Sequence, residues 1–284
     1  MSKSYGAPRL VLLDVDGTLL DSSLRLTERV RLAIQRCSNR GVLFALVSGR
    51  PVASLRLIAR KLPGVRFLVA GNGSTLVDLQ TGEVFFQQTF AADVAAKLVE
   101  FGIERSFGVC LYVGEVWYAC GRRDLIKIEE SRSKSRPTRY LDTKSAADFA
   151  STESILKVLY VGAPSAIEEV QKELGEFTRD VSALISYPEY LEVMPRGVTK
   201  ACFIDRIVEI TNLHVSVVLA VGDGDNDIEM LQNVGISACV SNASAAVRQS
   251  CQLALPSNDD DGIAIVLEAL VLGNSEAMGQ VREL

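Results

Sequence analysis

Apolar and polar positions follow two textures along this chain. Through residues 1–82, and again from residue 190, short continuous runs rich in Val and Leu alternate with segments of helical period. Such runs read as strands buried on both faces, as in a parallel sheet. They fall at residues 10–13, 42–47 and 65–70, and later at 215–221, 235–240 and 253–255. Helices are predicted over 28–39, 51–61, 198–211, 228–232, 244–250 and 262–271. Thr27 is a suitable N-cap for the first, Gly41 a suitable stop, and Pro51 suits the opening of the second. Strands alternating with helices imply parallel βαβ units with right-handed crossovers. The polar tail from Gly273 is expected to fray.

Residues 83–189 break this rhythm. Strands are predicted at 108–113, 115–120, 155–161 and 183–186, and helices at 92–105 and 165–177. Hairpin turns are predicted at 113–115 and around Tyr187-Pro188-Glu189. The fold class that follows is α/β: a doubly wound, Rossmann-like parallel sheet core (1–82 and 190–284) with an inserted α+β domain (83–189). The insert carries a basic stretch, 122–144, with Arg132, Lys134, Arg136, Arg139 and Lys144. That stretch reads either as a solvated face or as a surface for an anionic substrate.

Composition changes this picture little. The chain has 284 residues, 48% of them hydrophobic and 23% charged, with a net charge of −5. The balance argues against a general nucleic-acid partner. No apolar stretch reaches the roughly 18 residues of a spanning helix, and the N-terminus shows no targeting h-region. The expectation is a cytoplasmic protein without membrane association; a homo-oligomer is left open. The six cysteines form no CxxC pair and are expected to be reduced, with Cys110, Cys202 and Cys239 in the core. The single histidine, His214, is expected to be structural, which disfavours Ser-His-Asp and Cys-His chemistry.

The chemistry gathers at strand ends, where open α/β sheets bind ligands. The first apolar run meets Asp14, then Asp16, Gly17 and Thr18. Two carboxylates this close can divide labour, one ionised and one carrying a proton. A second acidic strand end, Gly222-Asp223-Gly224-Asp225-Asn226-Asp227, needs a cation to offset like-charge repulsion. Oxygen ligands without His or Cys suit Mg²⁺. Lys200, placed in the first turn of the helix predicted at 198–211, opposes the helix dipole and asks for an anionic neighbour. Ser48 and Gly49 supply a hydroxyl and a backbone N–H for a phosphate. A carboxylate nucleophile, a second carboxylate, a hard divalent metal and a cation together specify phosphoryl transfer.

The motifs DVDGTLL at 14–20, VSGR at 47–50, RGVTK at 196–200 and GDGDNDIEML at 222–231 resemble those of the haloacid dehalogenase superfamily, in its Cof-type sugar-phosphate hydrolase branch. GNG at 71–73 and VSNA at 240–243 also look like turns of that family, with Ser74 and Ser241 departing from its commoner Ala and Gly. The resemblance implies a Mg²⁺-dependent phosphomonoesterase acting on a small phosphorylated metabolite. It implies Asp14 as nucleophile and Asp16 as general acid and base. Ser48, Gly49, Thr18, Lys200 and Asn226 would contact phosphate or substrate, with Lys200 also orienting Asp14. Asp14, the Asp16 carbonyl and Asp223 would hold the metal, with Asp227 in an outer position. The insert would be a mobile cap. A phosphotransferase such as a phosphomutase, and a non-catalytic regulatory protein of the same fold, are the alternatives.

Overall fold

In the computed structural model, which describes residues 6–177 and 179–284, two sheets organise the chain. The larger takes β1 (Leu10–Asp14), β2 (Leu43–Val47), β3 (Val65–Ala70), β4 (Thr75–Asp78) and β5 (Val84–Gln87) from the first part of the chain. The smaller takes β6 (Gly108–Val113), β7 (Val116–Gly121), β8 (Ile155–Val161), β9 (Val181–Tyr187) and β10 (Tyr190–Pro195). The chain then returns to the larger sheet with β11 (Val218–Gly222), β12 (Ile236–Val240), β13 (Leu253–Leu255) and β14 (Arg282–Glu283). The large-sheet order is β14-β13-β12-β11-β1-β2-β3-β4-β5. Its strands from β13 to β3 are parallel, and β14, β4 and β5 are antiparallel edges.

β1 shows why the sheet is wound on both faces. All five of its residues are buried. Val11 and Leu13 point into one apolar cluster, Leu10 and Leu12 into another, as the two-residue period of a strand requires. The first cluster is covered by α1 (Glu28–Ser38), α2 (Val52–Ala59) and, late in the chain, the helix Gly262–Leu270. The second is covered by the helices Ile204–Thr211, Ile228–Gln232 and Ala245–Ser250. Thr27 caps α1, its hydroxyl accepting the Val30 N–H at 3.2 Å.

The smaller sheet is antiparallel throughout, in the order β7-β6-β8-β10-β9. One face packs on α3 (Ala92–Glu104) and on the helices Ala146–Thr152 and Pro164–Phe177. The other carries α4 (Arg123–Ser133), whose Ile126 lies among Cys110, Tyr112, Leu159 and Tyr190.

Several expectations need correction. β5 belongs to the large sheet and β10 to the small one, so the edges of the 83–189 block cut through hairpins. β4 and β5, four residues each, are too short to show a period, whereas β9 and β10 pair across the turn expected at 187–189, which carries β10 past the boundary placed there. The basic stretch 122–144 is not simply a solvated face: its first part is α4, whose apolar stripe is diluted by charges. The helix predicted over 198–211 begins only at Ile204. The preceding turns cross Gly73 so closely that a Cβ there would lie 2.0 Å from the Thr199 carbonyl. Cys202 is consequently exposed in a turn instead of being core. The strand predicted from Val215 starts at Val218, after a turn capped by His214, whose Nδ1 accepts the Ser216 N–H. The tail does not simply fray: the helix Ser275–Met278 buries Ala277, and β14 pairs with β13. Residues 1–5 of the N-terminus lie outside the described residues.

Candidate active site

Asp14 is the last residue of β1, and Asp223 directly follows β11, its parallel neighbour. Adjacent parallel strands in the middle of the sheet thus present two carboxylates at their carboxyl ends. The turn after β1 holds Gly17 at φ +83°, and a Cβ there would lie 2.4 Å from Asp223 Oδ2. Glycine is required at that position by conformation and by space.

Lys200 joins the cluster from the far part of the chain. Its Nζ donates to Asp14 Oδ1 at 2.6 Å and to Asp227 Oδ1 at 2.7 Å. Asp227 Oδ2 accepts the backbone N–H groups of Asp223 (3.1 Å) and Gly224 (3.0 Å), which fixes the carboxylate and shapes the loop. Asp14, Lys200 and Asp227 are all buried. Burial, then Asp227, holds the Asp14 carboxyl well above its ordinary value, with Lys200 opposing. Asp223 is pushed up to about 6 by burial and Asp227. Burial alone would lower the Lys200 ammonium, but Asp14 and Asp227 outweigh it and keep it charged.

Asp14, Asp223 and Asp227 each place an oxygen within 4.8 Å of the others. One lysine cannot balance three carboxylates, so the cluster fits a divalent cation, and its all-oxygen donor set fits a hard one. Asp16 is not part of the cluster by its side chain. Its two oxygens accept from Arg50 Nε and Nη2, both at 2.7 Å. Thr18, expected at the phosphate, instead donates to Asp223 Oδ1 at 2.8 Å and is buried away from the cavity. It supports the acidic cluster because the turn after β1 folds toward β11.

Ser48 and Gly49 follow β2, and the Ser48 hydroxyl accepts the Arg50 N–H at 3.2 Å. Asn226 meets Asn72 at 3.3 Å, and Asn72 in turn donates to Glu192 at 2.5 Å. Lys157, from the middle of β8, donates to the Gly49 carbonyl at 2.5 Å and to Glu192 at 2.8 Å. Ser186 also donates to Glu192, at 2.6 Å. Asp14, Asp16, Ser48, Gly49, Lys200, Asp223, Asn226 and Asp227 meet around a cavity of about 120 Å³. Its roof is built by Tyr112, Glu129, Arg132, Lys157, Tyr187 and Glu192 of the inserted domain.

Of these roof residues only Arg132 was named in the sequence, within the basic stretch read either as a solvated face or as a surface for an anionic substrate; Tyr112, Glu129, Lys157, Tyr187 and Glu192 were not expected at the site, nor were Arg50 and Asn72. Two left a signal. Lys157 stands inside ILKVLYV and Glu192 inside YLEVMP, both in fully buried strands. A charge in an apolar run is costly unless paired, and here the two pair with each other.

The sequence profile of the haloacid dehalogenase-like hydrolases matches residues 11–267. A provisionally named phosphatase of Streptococcus pyogenes is 27% identical over 271 residues, covering 93% of this chain and 98% of that protein. The 5-amino-6-(5-phospho-D-ribitylamino)uracil phosphatase YbjI of Escherichia coli is 25% identical over 269 residues, covering 93% of this chain and 96% of that protein. Among solved structures, a haloacid dehalogenase-like hydrolase from Bacteroides thetaiotaomicron superposes with a TM-score of 0.83 at 25% identity, covering 94% of this chain and 99% of that one.

Proposed function

Because the chain belongs to the haloacid dehalogenase-like hydrolase family, as a phosphatase of the Cof type, we propose that it is a magnesium-dependent phosphomonoesterase of small phosphorylated metabolites that works through an aspartyl-phosphate on Asp14. The observation that carries this reading is the buried Lys200, bridging Asp14 and Asp227 beside Asp223.

Lys200 holds Asp14 in one orientation and offsets charge on the reacting group. The Asp14 carboxylate attacks phosphorus, and the ester oxygen leaves with a proton from Asp16. Asp16 then takes a proton from the water that attacks the acyl phosphate, releasing inorganic phosphate and restoring Asp14. The Ser48 hydroxyl, the Gly49 backbone and Asn226 bind phosphoryl oxygens. Asp14, Asp223 and the Asp16 carbonyl would hold Mg²⁺, with Asp227 behind them. The cation supplies charge stabilisation for the transferring group. The inserted domain excludes water during transfer. The substrate named for the Escherichia coli relative, a phosphorylated ribitylamino compound, supports a small polyol-bearing phosphate as the substrate class.

The test is phosphate release by purified protein across sugar phosphates, nucleotides and p-nitrophenyl phosphate, with Mg²⁺ and with EDTA. Turnover that needs Mg²⁺ supports the reading; no release from any ester ends it.

A further inference from the structure

Arg50 has no part in the chemistry above, yet it is buried at the centre of the site. Each of its three side-chain nitrogens has one partner. Nε and Nη2 hold the two Asp16 oxygens, and Nη1 donates to Ser54 Oγ at 3.1 Å. Ser54 is also buried, and its hydroxyl donates to the Ser133 carbonyl at 2.7 Å. Ser133 is the last residue of α4, so its carbonyl is one of those a helix end leaves without an intrahelical partner. The large-sheet core thus satisfies the end of an inserted-domain helix through a single serine.

We propose that Arg50 is a positioning residue for Asp16, and that Ser54 ties this positioning to the seating of the inserted domain. The proposal rests on the phosphatase reading. With both oxygens held in a planar fork, Asp16 has one orientation. To hand a proton to a leaving oxygen, Asp16 must release one of those bonds while keeping the other. A guanidinium fixed at Nη1 allows that exchange without losing the carboxylate; one free at Nη1 swings with it. Seating α4 on Ser54 supplies the fixed end. The same seating brings Glu129 and Arg132, in the last turns of α4, to the cavity roof. Substrate cover and acid orientation therefore share this contact, beside the Lys157–Gly49 and Ala53–Glu115 bonds that also seat the inserted domain.

The experiment compares two esters: p-nitrophenyl phosphate, whose leaving group departs without a proton, and the alkyl phosphate turned over fastest by the wild type. Ser54→Ala is expected to lower kcat/KM, which reports only the steps through departure of the leaving group, roughly tenfold on the alkyl ester, a fraction of the factor general acid catalysis supplies, with kcat/KM for p-nitrophenyl phosphate within about twofold. Arg50→Lys, which keeps the charge but not the fork, is expected to show the same bias more strongly. Hydrogen exchange at residues 131–134 should rise in Ser54→Ala. If Arg50→Lys does not fold, Ser54→Ala decides alone. Equal losses of kcat/KM on both esters, or no loss on either, overturn the positioning role while leaving the phosphatase reading intact. A wild type inactive on every ester overturns the phosphatase reading and the role with it.

Discussion

Lys200 Nζ lies 2.6 Å from Asp14 Oδ1, although 186 positions separate the two residues in the chain. The lysine is the only cation bonded to Asp14 and Asp227 among the described residues, and all three are buried. Lys200→Ala is predicted to reduce kcat at least about 10³-fold, as expected for loss of a preorganised electrostatic partner. It also leaves buried carboxylates without their cation, at a cost of about 3–5 kcal/mol. Steady-state kinetics and urea unfolding measure the two effects separately.

The acidic cluster predicts how stability depends on pH and metal. Asp14 and Asp223 bind protons more tightly folded than unfolded, Asp223 with a value of about 6. The folded state then carries more bound protons, so without metal stability falls as pH rises through about 6. Thermal scans in EDTA should give a higher Tm at pH 5.5 than at pH 7.5, until other groups titrate near pH 4. Mg²⁺ should raise Tm at pH 7.5 more than at pH 5.5, because protons compete for the same oxygens. Asp223→Asn should raise Tm in EDTA and lose most of the Mg²⁺ response.

Lys157 and Glu192 predict how the inserted domain is held. Burial pushes the Glu192 carboxyl up, but Lys157 and Ser186 outweigh it and leave the group below its ordinary value. This contribution to stability is present above the unfolded value of about 4.3 and is lost as pH falls through the lower folded value. Lys157→Met removes the cation and the bond to the Gly49 carbonyl together. The expected loss is about 3–5 kcal/mol in urea unfolding. Adding Glu192→Gln should restore part of it, since the stranded charge goes as well.

Much of this was legible in the chain because strand ends carry chemistry. β3, β6, β8 and β13 appear at the residues expected from their apolar runs, and Asp14, Lys200, Asp223 and Asp227 meet as their charges demanded. The Thr18 bond to Asp223 was not legible, because the direction of a turn decides which neighbour a hydroxyl finds, and composition does not encode it. Arg50 and Asn72 stood within the quoted VSGR and GNG motifs, but their partners lie on other strands and in the other domain. The roof residues depend on how the two sheets face one another, which no local period records.

Arg132 turns the basic stretch into a specific expectation. Its Nη2 bonds Glu189 at 3.0 Å, its guanidinium carbon lies 3.6 Å from the Tyr187 ring centroid, and its buried Nη1 has no partner. Of the five basic residues 132, 134, 136, 139 and 144, it alone lines the cavity. Arg132→Ala should raise KM about tenfold or more for esters with a second anionic group, the worth of one charged hydrogen bond. KM for p-nitrophenyl phosphate should change much less; equal effects on both would remove Arg132 from recognition.

The most direct test of the central claim is to trap the phosphorylated enzyme. Protein quenched during turnover with Mg²⁺ is reduced with borohydride, which converts an aspartyl-phosphate to homoserine, and the peptide holding residue 14 is analysed by mass spectrometry. The account predicts homoserine at position 14, absent with EDTA and absent in Asp14→Asn, which should also release no phosphate. Phosphate release without modification at Asp14, or retained by Asp14→Asn, would contradict it.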